Sequence, residues 1–445
     1  MATSSSRLRD CILDADDESW LLRHGLLAIT RSNKIRIDRR IMYCDDDSTD
    51  LPVFDGNEGT VTTPSSSASG QDELPRFLSN NAEVLVYLGF SESRAKQVAA
   101  HATRLRREYP EMNDTWINIA FDDAVDSTIA DVGPEQENWW PLFQRLGLSE
   151  QLYEVIMDPE YGQIRRTETA KYWIRDTMQI RYDHLLKIHE FSRKRGFHVR
   201  GSSGGSSTKS EGTHQQARRR RVEPAPVNPA TPEVALVDPE EQVPEGYIAL
   251  WKGLARNRIQ YDDQGRVDLQ SLISSPPTDF AGTAFDGPVL YFAEDRAVRV
   301  KYALYAKNRL NQTGATAEDK AVVLLRLLVK KSWTEGIRRF IDGSDWKKVI
   351  WLSRRGKSLR SPQAQRLGID HYADSQILIG RIAQGVERGY ETIESWSSIT
   401  SLHVVTVPQE EHRKAIHWCF KGRAIEELGE NSSIAIDARF EQSQR

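Results

Sequence analysis

Lys252-Gly253, Tyr291-Phe292, Tyr302, Glu410-Glu411 and His417 are the residues of this chain whose types and spacing suit chemistry. A lysine donates to hydroxyl or phosphate oxygens but is neither planar nor an acceptor. Glycine has no Cβ and so lets another group approach the backbone closely. Carboxylates stabilise positive charge as it develops in a transition state. His417 reads either as an acid or base or as an ordinary half-buried histidine. Tyr302 and Tyr305 lie off the stripe of Ala297, Val300 and Leu304, which leaves at least one ring to face something other than core.

Those side chains need a strand, a helix and a closing strand to hold them. Val289–Phe292 is a short apolar, aromatic run with strand character. Glu294 and Asp295 then suit a helix start, where carboxylates meet unpaired N–H groups and the positive end of the dipole. Tyr247–Gly253 reads as a strand ending in Lys-Gly, and His417–Leu428 as a strand passing into a helix. Between them the pattern predicts a strand at Val322–Val329, a helix at Thr334–Phe340 and a strand at Lys348–Leu352. A buried strand is expected in His371–Ala383, and a β-rich run at Leu402–Val407.

This order of elements resembles the nicotinamide pocket of ADP-ribosyltransferases, including the poly(ADP-ribose) polymerase and bacterial-toxin branches. Tyr291-Phe292-Ala293 matches the pocket-wall segment, and Tyr302 follows Tyr291 by eleven residues, at the place of the ring-stacking tyrosine. Asp279-Phe280 precedes the second strand as in some toxin-like members. The resemblance covers roughly the last two-fifths of the chain. It implies an α+β fold with a split, half-barrel β core, and NAD as the substrate that donates ADP-ribose. Gly253 would hold the nicotinamide amide, Tyr291 and Phe292 would wall the pocket, Tyr302 would stack on the ring, and Lys252 would touch ribose or phosphate.

Two positions depart from the family pattern. Lys252 stands where the family has His or Arg, and His417 stands near where it has its acid. Glu410 and Glu411 are the nearest carboxylates, and they read either as that acid or as a solvated turn after a strand. The resemblance therefore carries two functions. One is transfer of ADP-ribose to a protein, a nucleic acid or water. The other is a catalytically degenerate interaction or scaffold protein, since fold does not imply function.

The remaining sequence sets bounds. At 445 residues there is room for two to three domains. Apolar content of 39% is low enough to place part of the chain outside any packed core. A formal charge of -4 argues against a whole surface devoted to nucleic acid or acidic lipid. Cys11, Cys44 and Cys419 are odd in number and widely spaced, which offers neither a disulfide framework nor metal-ligand spacing. Together with a start lacking an apolar signal and no membrane-length apolar run, they predict an intracellular protein, nuclear or cytoplasmic, without a membrane partner.

Five segments are expected. Residues 1–73 are a partly ordered start, with a helix and a strand in Trp20–Ile41, an acidic Asp45–Asp50, and a low-complexity Thr60–Gly70. Residues 74–199 read as an independent helical domain that selects a protein partner. Its helices are Glu83–Leu88, Ala95–Leu105, Trp116–Ile129, Trp139–Leu146, Ser149–Met157 and Thr167–Arg195, with serine N-caps. Trp116, Trp139, Trp140 and Trp173 are core or recognition surface. Residues 200–242 are a flexible linker of Gly201–Ser207, Arg218-Arg219-Arg220-Arg221 and Pro224–Pro239. Its four arginines suit nuclear import, nucleic-acid phosphates or a plain solvated charge run. Residues 243–432 are the ADP-ribosyltransferase-like domain, and 433–445 a tail.

Overall fold

The computed structural model describes residues 11–38, 71–194, 236–237 and 242–440, apart from 24, 31–33, 79–81, 110–115, 126–128, 130, 132–137, 263, 275–276, 311–321, 386–389, 391 and 438–439. Asp45–Asp50, Thr60–Gly70, Gly201–Ser207 and Arg218–Arg221 lie outside the described residues, as does Pro224–Pro239 except Leu236 and Val237. The described chain is a mixed helix and sheet protein with its main sheet in the C-terminal part.

The first part opens with α1 (Ala15–Arg23) and an antiparallel sheet of β1 (Leu27–Ile29), β2 (Ile35–Asp38) and β3 (Gln71–Leu74). The helices follow: α2 (Ala82–Leu88), α3 (Glu92–Glu108), α4 (Trp116–Ala124), α5 (Trp140–Leu146), α6 (Glu150–Met157), α7 (Gly162–Arg165) and α8 (Ala170–Lys194). Ser91 caps α3 by accepting from Arg94 N at 3.4 Å, and Ser149 caps α6 by accepting from Leu152 N at 3.2 Å. Helix α4 stops short of the expected Ile129. Trp139 is fully buried, Trp116 and Trp173 are buried, and Trp140 is half-buried. Ile12, Leu21, Ile35 and Leu74 share one core with Leu85, Phe121, Trp139 and Ile174, so the opening segment packs onto the helices.

The main sheet runs β4 (Leu236–Val237), β13 (Ser432–Asp437), β7 (Val322–Lys330), β5 (Tyr247–Ala255), β6 (Val289–Ala293), β12 (Ile416–Lys421), β9 (Ile377–Arg381), β8 (Arg338–Phe340). Only the two edge pairings, β4 with β13 and β8 with β9, are parallel. Strand β5 pairs with β7 from Tyr247 to Ala255 but meets β6 only at Trp251↔Ala293. Beyond Trp251, β5 and β6 diverge without further pairing. Helix α9 (Arg296–Leu310) sits at that parting, and the alternation of strand side chains gives each face its own core. Leu290, Phe292, Trp418 and Phe420 pack under α12 (Arg423–Asn431). Tyr291, Leu378 and Cys419 pack with α11 (Gly343–Ser353).

Several expected elements differ. Lys348–Leu352 lies inside α11, because Trp346, Val349 and Ile350 bury one helical face and Asp342 Oδ1 accepts from Gly343 N at 2.7 Å. Thr334–Phe340 is not a helix. The short α10 (Lys331–Thr334) ends, Gly336 turns the chain at φ 87°, and β8 then pairs with β9. In Leu402–Val407 only β10 (Thr406–Val407) is strand, paired to β11 (Glu410–Lys414). Residues Ser433–Asp437, expected in the tail, and Leu236–Val237, expected in the linker, belong to the sheet.

The expected stripe of α9 is also revised. Ala297 is exposed, whereas Val298, Ala303, Tyr305 and Ala306 are buried. The helix is covered on two sides, by the sheet and by the preceding helices, so a single-stripe reading fails. Tyr305 stacks on Tyr161 at 5.2 Å, meets Trp173 edge-on at 5.0 Å, and donates through Oη to Ile156 O at 2.9 Å. Asp176 of α8 accepts from Arg258 Nη1 at 2.6 Å and from Arg309 Nη1 at 2.5 Å. The helical part is thus docked on the sheet part through a buried polar seam.

Candidate functional site

The parting of β5 from β6 brings several of the expected side chains near one another. Lys252 Nζ donates to Tyr291 O at 3.3 Å and lies 5.9 Å from the centre of the Phe292 ring. Burial, with Arg299 and Arg258 nearby, lowers its pKa to about 7. The Arg299 guanidinium lies over the Tyr302 ring at 4.7 Å, and its buried Nε has no hydrogen-bond partner among the described residues. Burial raises the Tyr302 phenol above its ordinary range. Lys252, Arg299 and Tyr302 therefore form a cationic, aromatic group beside the parting.

Gly253 is close to something, but that something is protein. A Cβ added there would stand 2.0 Å from Arg299 O and 3.0 Å from Ala303 N, so the missing side chain makes room for the backbone of α9. Tyr291 and Phe292 do not wall one pocket. Successive strand residues face opposite ways, and they enter the two separate cores on either side of the sheet.

Tyr291 belongs to a second, buried polar cluster. Its hydroxyl accepts from Phe280 N at 3.0 Å and lies 2.8 Å from Thr278 Oγ1. Its ring stacks on His417, centroids 4.7 Å apart and 18° from parallel. His417 Nε2 stands 3.3 Å from Asp279 Oδ2, outside hydrogen-bonding geometry. Burial drives the His417 pKa down to about 3 against the pull of Asp279, with Arg299 and Arg354 acting the same way as burial. The imidazole is neutral at ordinary pH.

Asp279 is fully engaged. Its Oδ1 accepts from Arg354 Nε at 2.7 Å and also from Nη2, and its Oδ2 accepts from Ala383 N at 2.9 Å. Arg354 reaches further, donating through Nη1 to Thr167 O at 2.9 Å and Glu168 Oε1 at 3.2 Å. Burial raises Glu168 to about 7, although Arg354 pulls it down. Sequence reading picked out Asp279 but missed Arg354 and Glu168. Nothing distinguishes those two from other charged residues until the chain folds them together.

Glu410 and Glu411 lie on β11, in a two-stranded hairpin outside the main sheet. Glu410 is exposed and accepts from Arg413 Nε at 2.7 Å, which holds its carboxyl below the usual range. Arg413 also pairs with Asp295 at the start of α9. The structure does not gather Glu410 into either cluster.

NAD would need an open backbone edge at Gly253 and a carboxylate facing Tyr291. The first place is taken by α9, and the carboxylate beside Tyr291 and His417 is occupied by Arg354 and Ala383 N. Among the described residues no group of three or more His, Cys, Asp or Glu is arranged to hold a metal, and no helix is long and apolar enough to cross a membrane. Comparison with known proteins found no matching family model, no similar curated protein and no similar solved structure.

Proposed function

We infer that this chain is a non-catalytic interaction protein built around an ADP-ribosyltransferase-like split sheet. The observation that carries this reading is the state of Asp279. It is the acid beside Tyr291 and His417, and both of its oxygens are already bonded within the protein. A carboxylate that stabilises a developing oxocarbenium charge must face the reacting centre. Asp279 instead neutralises Arg354.

The test is nicotinamide release from NAD by the full chain, beside Tyr302→Ala. The expected result is no release above the buffer rate from either protein. Release by the parent that falls with Tyr302→Ala would overturn the reading.

One observation favours NAD binding without turnover as a second reading. Lys252, Arg299 and Tyr302 meet where β5 and β6 part, and the Arg299 Nε lacks a partner among the described residues. A shift of α9 away from Gly253 would leave these donors free for ligand oxygens. Calorimetric titration with NAD separates the two readings: heat that saturates for the parent and disappears with Tyr302→Ala supports binding, and a flat titration supports the pure interaction protein.

A further inference from the structure

Helix α3 is basic in a protein of net negative charge. It carries Arg94, Lys96, Arg104, Arg106 and Arg107 against Glu92 and Glu108, while the chain as a whole carries -4. Arg94, Gln97, His101 and Arg104 follow at spacings of three and four, so they share one side of the helix. They line a groove of about 550 Å³ with Asp123 of α4 on its wall, and the buried Val98 also contributes.

The groove is shaped by packing. Gly147, at φ +70°, ends α5, and a Cβ there would stand 2.7 Å from Arg94 Cβ. The absence of that Cβ lets the Arg94 stem lie against the turn. Asp123 then steadies two heads, with Oδ1 at 3.5 Å from Arg94 Nη2 and Oδ2 at 3.0 Å from His101 Nδ1. Arg104 is exposed and pairs with no carboxylate among the described residues. Among the described residues, Asp123 is the one acid lining a groove that carries two arginines and a histidine.

We propose that this α3–α4 groove is a docking site for an extended acidic peptide of a partner protein. Charge complementarity selects the sign, as clustered arginines do in recognising acidic motifs. From Arg94 to Arg104 the helix rises roughly 15 Å, which matches about four or five extended residues at about 3.3 Å each. Nucleic acid is the poorer fit. Among the described residues no aromatic ring lines the groove to stack a base, and Asp123 sits among the cations. The site lies on the helical part, so it stands whichever way an NAD titration falls.

The experiment measures fluorescence anisotropy of a labelled octaglutamate peptide with the full chain in low salt. Octalysine and labelled octathymidylate are the comparison probes. Octaglutamate binds saturably, octalysine does not, and Arg104→Glu weakens binding at least tenfold. Arg104 is exposed, so its reversal leaves the fold intact, which a thermal melt verifies. Arg94→Glu gives the same loss, with some destabilisation because its stem packs on Gly147. Failure of octaglutamate to bind overturns the proposal. So does binding that survives Arg104→Glu, which assigns the peptide to another basic segment such as Arg218–Arg221. Tighter binding of octathymidylate, lost with Arg104→Glu, makes the groove a nucleic-acid site and overturns the peptide assignment.

Discussion

Arg354 donates through Nε to Asp279 Oδ1 at 2.7 Å while its Nη1 donates to Thr167 O at 2.9 Å. One guanidinium thus ties the sheet part to the junction of α7 and α8. Both Arg354 and Asp279 are buried, and Ala383 N completes the carboxylate. Removing one partner of such a pair strands the other charge away from water. Arg354→Ala is expected to cost about 3–5 kcal/mol, read from urea unfolding. A loss no larger than that of an exposed arginine would show the pair to be dispensable.

Asp176 is the second tie across the seam, bonded to Arg258 and Arg309. Burial raises its pKa, but the two arginines more than offset this and hold it below the usual carboxylate value of 3.8. A depressed folded pKa contributes stability that is present above the unfolded value and lost as pH falls below it. Asp176→Asn should therefore destabilise by roughly 3 kcal/mol or more at neutral pH, with a smaller penalty in strong acid. Equal penalties at both pH values would refute the ionic account.

Glu168 behaves in the opposite sense. Its folded pKa is raised to about 7 from 4.5, chiefly by burial. The neutral form is favoured, so its contribution is complete below pH 4.5 and fades as pH climbs through 7. Glu168→Gln is expected to stabilise the protein at pH 8 by roughly 1–3 kcal/mol, since 22% side-chain exposure damps the full shift. Melting curves at pH 5 and pH 8 check this; a gain of the same size at both would remove the titration from the explanation.

Gly253 offers a direct contrast between packing and ligand roles. An added methyl would meet Arg299 O at 2.0 Å, and that backbone oxygen cannot swing away as a side chain does. Gly253→Ala should cost about 1–3 kcal/mol through overpacking, measured by thermal unfolding. Full stability in the variant would show that α9 yields easily, and would favour a glycine kept open for a ligand.

What the sequence determined by itself is local. The run Val289–Phe292 is a strand because its residues are apolar and aromatic, and Ser91 and Ser149 mark helix starts because their hydroxyls reach backbone N–H groups three residues on. Lys348–Leu352 was misread because a short apolar run fits a buried strand and a buried helix equally well. Only its packing, with Trp346, Val349 and Ile350 on one face, chose the helix. The last strand, Ser432–Asp437, exists through its partner β7, about a hundred residues earlier in the chain. The site follows the same division. Lys252, Tyr291, Tyr302 and His417 could be named from spacing and resemblance, but their surroundings could not. Arg354 and Asp279 are 75 residues apart, and Arg354 and Thr167 are 187 apart. Tertiary structure decided that Asp279 is neutralised, that α9 fills the space at Gly253, and that the helices dock. Charge pairing and steric exclusion act through space, and sequence neighbours carry no record of them.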